Sequence, residues 1–245
     1  MPNAETTPIP ETRTGGPTAA YVTIAAMSAL AGRRAIHVLS ACLAGCLWSV
    51  NTPAIAPPDS FDELYARGQK ANAAIKTLTA RFTETTTSSL LTRPIVARGR
   101  LAVERPSRVV MRYADPDARV VLIDGNKMTM SWPGKHLTQV TDIGTAQGRI
   151  QKYFVNGTAA ELRSQFEIDD HGMAGDRPDL YFVTMVPKRK QIRASLAQLD
   201  LWVNRSSLLL HAMKMTFANG DTKTMAFEDV VPNATLEPGS FTLER

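Results

Sequence analysis

An arginine followed by proline closes the run Gly99-Arg100-Leu101-Ala102-Val103-Glu104-Arg105-Pro106, and its place in that run is unusual for a cation. Successive side chains of a pleated strand point to opposite faces. Leu101, Val103 and Arg105 therefore share the apolar face, while Arg100 and Glu104 point the other way. Burying an unpaired guanidinium is strongly unfavourable, so an inward arginine needs carbonyls, a carboxylate or a ligand held against it. Two readings stay open on spacing alone. Either Arg105 is a switch that holds and releases a partner group, or Pro106 lifts the strand end to the sheet margin and the side chain runs out to solvent.

The other titratable groups compose no reaction centre. The sequence has no G-x-S-x-G elbow, phosphate loop or H-E-x-x-H, and His136, His171 and His211 stand far apart. Asp169-Asp170-His171 supplies an acid and a base, but in a polar segment read as a loop and without a nucleophile beside them. No catalytic residue, metal ligand or cofactor is expected, and the chain is read as a binding protein.

Binding points instead to the apolar positions. By parity Met128, Met130 and Trp132 share a face, as do Leu199, Leu201 and Val203, then Leu209, Met213, Met215 and Phe217, and finally Met225 and Phe227. A flexible thioether repacks around guests of different shape, which suits a hydrophobic surface that takes more than one ligand. Methionines also simply fill cores. With Leu101 and Val103, these residues (Val203 aside) make up the expected hydrophobic ligand-binding wall.

The elements that must carry this wall are read from periodicity. Ser60-Phe61-Asp62-Glu63 is a capping box, and Phe61, Leu64, Tyr65, Gly68, Ala71, Ile75 and Leu78 recur at three and four, predicting a helix to about residue 78. From Thr79 the period becomes two. Strands are predicted over 83–87, 95–105, 108–113, 119–123, 127–132 and 136–141, with turns at Asp124-Gly125 and Trp132-Pro133-Gly134. A second helical stretch spans 145–165, broken at Asn156-Gly157, and a polar loop covers 171–178. Strands then resume over 180–186, 196–203, 208–217, 222–228 and 241–243. About ten meandering strands and few helices give an α+β domain with helices covering one face of a curved sheet.

Composition sets the class. Of 245 residues, 44% are hydrophobic and 21% charged, as in a globular protein, and the net charge of +5 is too mild for nucleic acid. The densest basic cluster, Lys188-Arg189-Lys190 with Arg193, follows Pro187 as a solvated loop does. Residues 1–56 read as a leader: Arg33-Arg34, an apolar run from Ala35 to Val50, then small residues to Ala56, with Met27 as a candidate true start. Leu43-Ala44-Gly45-Cys46 also fits a lipobox, which makes Cys46 a candidate lipidation site. The folded domain is then 57–245.

The segment from Gly99 through Arg105-Pro106 to Trp132 and Thr141 resembles the LolA-type periplasmic lipoprotein carriers. So do Ala80-Arg81-Phe82-Thr83-Glu84 upstream, and Leu201-Trp202-Val203-Asn204, the Asn219-Gly220 hairpin and Ser240-Phe241-Thr242-Leu243 downstream. The resemblance implies an open antiparallel half-barrel with an α-helical lid, the lid being the helices near 61–78 and 145–166. It implies that Arg105 with Pro106 is the lid latch, the arginine holding lid backbone by hydrogen bonds. It implies a monomeric periplasmic carrier of acylated lipoproteins, with an inner-membrane lipoprotein-releasing ABC transporter and an outer-membrane acceptor lipoprotein as partners. The chain ends directly after its last predicted strand, where soluble carriers continue. That departure, with Cys46, keeps open a membrane-anchored acceptor, and a lipid-binding sensor module is the third alternative.

Overall fold

A computed structural model describes residues 60–144 and 157–243. The predicted leader with Met27 and Cys46, and residues 145–156 of the predicted second helical stretch, lie outside the described residues.

Helix α1 spans Phe61–Asn72 and opens on the expected capping box: the Glu63 N–H donates to the Ser60 hydroxyl at 3.4 Å and the Ser60 N–H to the Glu63 carboxylate at 3.1 Å. The helix stops six residues earlier than its stripe predicts. Leu78 is buried as expected, but in a strand, because it pairs with Val103 on one side and Pro232 on the other. Tertiary pairing overrides the local period there.

Eleven strands follow: β1 Thr77–Thr87, β2 Ile95–Glu104, β3 Arg108–Asp115, β4 Arg119–Asp124, β5 Lys127–Trp132, β6 Leu137–Asp142, β7 Phe166–Ala174, β8 Arg177–Pro187, β9 Leu196–Asn204, β10 Leu210–Phe217 and β11 Thr222–Pro232. They form one open antiparallel sheet in the order β6-β5-β4-β3-β2-β1-β11-β10-β9-β8-β7. Consecutive strands pair throughout except β6 and β7, which lie at opposite edges, and the two halves join where β1 pairs with β11. Short helices α2, Ala159–Gln165, and α3, Lys190–Arg193, with a 3-10 turn at Pro133–Lys135, complete the described elements. One contiguous core joins α1 and α2 to the inward side chains of the sheet, from Met128 on β5 to Met185 on β8. This is the predicted α+β half-barrel with helices on one face.

Two expectations are corrected. The polar loop of 171–178 is largely strand: β7 is an edge strand, solvated along much of its length, so polar residues serve it as well as apolar ones. The predicted last strand at Phe241–Leu243 is absent. After β11 the chain turns at Asn233 (φ 54°) and Gly239 (φ 77°) and crosses the outer face of β1 to β3. Arg112 donates to the carbonyls of Ser240 (3.1 Å) and Thr242 (2.6 Å), and the Arg108 guanidinium lies 4.3 Å over the Phe241 ring. Side-chain grips replace ladder bonds.

Gly99 has no room for a side chain on the inner face. It lies in register between Phe82 and Tyr113, whose rings meet edge to face at 4.8 Å. A Cβ here would strike the Arg112 carbonyl oxygen and come within 2.6 Å of Phe82 Cζ. Gly99→Ala should therefore lower unfolding free energy by about 1–3 kcal/mol in urea titration, the usual range for overpacking. A change inside about 0.5 kcal/mol would show that the strand shifts freely.

Candidate functional site

The stripe of α1 builds the site. Phe61, Leu64, Tyr65, Gly68, Gln69 and Asn72 face the sheet across a chamber of about 120 Å³. Its other wall is Val183 and Met185 of β8, Leu201 and Val203 of β9, and Leu208 with Leu210 at the start of β10; Leu162 of α2 closes one side. Thr158 caps α2 with a second reciprocal box to Glu161, and Arg163 ties the helices together through Asp62 at 2.9 Å.

A second, smaller chamber of about 40 Å³ lies toward the end of β2, between Ile75, Leu101, Arg105, Leu209 and Phe227. Asn72, Leu208 and Leu210 line both chambers. The Asn72 amide donates to the Gly68 carbonyl at 2.8 Å and to the Leu208 carbonyl at 3.1 Å, which pins the end of α1 to a residue in the left-handed region (φ 57°). Helix and sheet are thus joined at the partition between the chambers.

Arg105 sits one residue past β2, its backbone N–H donating to the Lys76 carbonyl at 2.9 Å. Its side chain reaches inward to line the smaller chamber while Pro106 is exposed. The Nε and Nη1 atoms are buried and have no hydrogen-bond partner. Desolvation pushes its pKa down to about 10, which leaves it charged at neutral pH. Gln69 lines the larger chamber beside Tyr65, to which its side chain is hydrogen-bonded. Burial also pushes the Tyr65 hydroxyl up, against a downward pull from Gln69 and with a smaller upward push from Glu161.

The predicted wall divides between chamber and packed core. Leu101, Leu201, Leu209 and Phe227 line the chambers with Arg105. Val103, Met128, Met130, Leu199, Met213, Met215 and Met225 are buried in the core and line neither chamber; Trp132 and Phe217 pack partly buried against it. Gln69, Asn72, Val183, Met185, Leu208 and Leu210 were not singled out by sequence reasoning. For Gln69 and Asn72 the available signal was their place beside the apolar stripe of α1, and for Val183 and Met185 the alternation of β8.

The far end of the inner face is polar. Glu84, two residues beyond Phe82 on β1, accepts from the Tyr113 hydroxyl at 2.8 Å and from Lys223 Nζ at 3.1 Å, with Arg119 at 3.5 Å. The Arg119 guanidinium lies 3.7 Å over the Tyr113 ring. The bowl thus runs from a half-buried cation at one end to a paired ionic cluster at the other. Among the described residues no three His, Cys, Asp or Glu side chains converge as a metal site, and no helix is long and apolar enough to cross a membrane.

An outer-membrane lipoprotein carrier protein of Chromobacterium violaceum is 27% identical over 168 residues, 68% of this chain and 76% of that protein. One of Pseudomonas entomophila is 22% identical over 166 residues, with the same coverage. Among solved structures, a LolA superfamily protein of Nitrosomonas europaea aligns over 73% of this chain and 96% of its own at 10% identity and a TM-score of 0.38. MucB of Pseudomonas aeruginosa, in complex with MucA, aligns over 73% and 59% at 14% and 0.47. The family described as outer membrane lipoprotein carrier protein LolA matches residues 73–244, which takes in every strand of the sheet. With that match, the chain belongs to the LolA family.

Proposed function

We propose that this protein is a periplasmic carrier that shelters the acyl chains of lipoproteins and moves them from the inner to the outer membrane. The observation that carries the reading is the apolar chamber between α1 and strands β8 to β10, continued toward Arg105 by a second chamber. Each buried methylene contributes roughly 0.8 kcal/mol, so acyl chains in water drive strongly into such a space. At about 120 Å³ the chamber falls well short of the 300–1,000 Å³ of ordinary ligand pockets. The structure therefore suits an unloaded carrier whose helices move away from the sheet to admit cargo.

Arg105 is the latch in this reading, and α1 with the segment near 145–166 the lid. Its buried, unpartnered N–H groups stand ready for lid carbonyls or for cargo. An inner-membrane ABC transporter supplies the lipoprotein and an outer-membrane acceptor lipoprotein receives it. The protein acts as a monomer without cofactor or catalysis. Mass spectrometry of material extracted from the purified protein tests this directly. Triacylated lipoprotein is the expected co-purified species; free lipid alone, or a regulatory protein, would overturn transport in favour of sensing.

A further inference from the structure

The basic run Lys188, Arg189, Lys190 and Arg193 lies between β8 and β9, partly as α3, with every one of these side chains exposed. Antiparallel register fixes where that connection sits. Thr87 at the end of β1 pairs with Thr222, Phe217 at the end of β10 with Leu196, and Pro187 at the end of β8 with Phe166. Segments 88–94, 188–195 and 218–221 therefore share one rim of the sheet. Segment 88–94 brings Arg93 to that rim together with Leu90, which at 90% exposure is the most exposed large apolar side chain among the described residues. With neighbouring strands about 4.8 Å apart, the basic run and Leu90 stand roughly 20 Å from each other along the rim. The acidic side chains at the strand ends here are Asp115, Asp117, Glu167 and Asp221. Asp117 pairs with Lys135 at 3.3 Å, and among the described residues no ion pair neutralises Arg93 or the cations of 188–193.

We infer that this rim docks the protein on an anionic bilayer surface, with Arg93 and the cations of 188–193 on headgroup phosphates and Leu90 entering the headgroup boundary. Uncompensated cations attract a surface of phosphates without needing a shaped pocket, and a bare apolar tip beside them gains by leaving water there. The ligand is the membrane itself, so the inference goes beyond the sheltering of acyl chains. Docking also places the chamber. Lys188 holds the end of α2, its backbone N–H donating to the Gln165 carbonyl at 2.8 Å and its ammonium to the Arg163 carbonyl at 2.7 Å. Leu162 of the same helix closes one side of the larger chamber, so the rim that meets lipid is fastened to the helix that covers the site.

The test is sedimentation of the full chain with vesicles free of lipoprotein, made of phosphatidylcholine alone or of equal parts phosphatidylcholine and phosphatidylglycerol. Each cation near an anionic surface is worth about fivefold in partitioning, so the anionic vesicles should be preferred by about a hundredfold at low salt. The preference should vanish at about 1 M salt, where the screening length is only ~3 Å. Arg189→Gln/Lys190→Gln should weaken binding to anionic vesicles by about 25-fold, and Leu90→Ser by several fold. Lys70→Gln/Lys127→Gln removes the same charge from exposed positions toward the opposite rim and should leave binding unchanged. The apolar run of residues 35–50 is common to every variant and cancels in the comparison. Equal partitioning to the two vesicles, or equal losses in the two double variants, would overturn the inference. Salt-sensitive binding to a poly-glutamate peptide but to neither vesicle would also overturn it, and would assign an acidic protein segment to the rim. Because the vesicles hold no lipoprotein, these outcomes are separate from the fate of the acyl-chain reading.

Discussion

Glu84→Leu is expected to lower the unfolding free energy by about 3–5 kcal/mol, the usual result of removing one partner from a buried ionic cluster. The Glu84 side chain is 5% exposed and its carboxylate is shared by Lys223, 11% exposed, and Arg119, 17% exposed. Leucine would fill the space but withdraw the carboxylate that Lys223 and Arg119 share, together with the oxygen that accepts from the Tyr113 hydroxyl at 2.8 Å. The double variant Glu84→Leu/Lys223→Leu should recover part of the loss, because it removes a cation along with the anion. Urea titrations of the two variants decide the matter. A single variant within about 1 kcal/mol of the original protein would mean that the cluster is solvated in solution and contributes no closure to that end of the bowl.

Much of this architecture is legible from alternation alone, and the reasons are local. Strand β5 was predicted to the residue because Lys127-Met128-Thr129-Met130 alternates cleanly between turn signals at Gly125 and Pro133. The β10–β11 turn follows from Asn219-Gly220, whose glycine takes φ 86°. Other features depend on partners distant in sequence and stay hidden. The end of α1 is set by an Asn72 bond to Leu208, 136 residues away, and β7 becomes a strand only because β8 supplies a ladder to pair with. Parity placed the methionines inward correctly as a class. It does not tell which inward side chains meet one another and which face a gap, since that depends on where a helix lies over the sheet. Arg105 was the exception, because an inward cation invites notice whatever surrounds it. Glu84 carries the same signal, two residues after Phe82 on the same face, and Thr158-Ala159-Ala160-Glu161 spells the second capping box as plainly as Ser60 to Glu63 spells the first.

Arg105→Leu is expected to separate stability from function by moving them in opposite directions. The guanidinium is charged at neutral pH, and two of its nitrogens are buried without hydrogen-bond partners. Its pKa is lower in the folded chain than in the unfolded one, so the unfolded state binds the proton more tightly and the cation weighs against folding at every pH below about 10. That penalty is relieved only as pH rises through the folded value. Leucine removes it at all pH and adds apolar contact with Leu101 and Phe227, which line the same chamber. With part of the side chain still reaching solvent, the gain is about 1–2 kcal/mol after allowance for screening, seen as a higher urea midpoint at neutral pH. Delivery of lipoprotein to an outer-membrane acceptor should nevertheless fall by at least about tenfold, because the variant has lost the charged donor that holds either lid or cargo. A destabilised variant would mean that Arg105 has partners in solution that offset its burial. A stabilised variant with undiminished delivery would remove the latch while leaving the apolar chamber in place as the binding site.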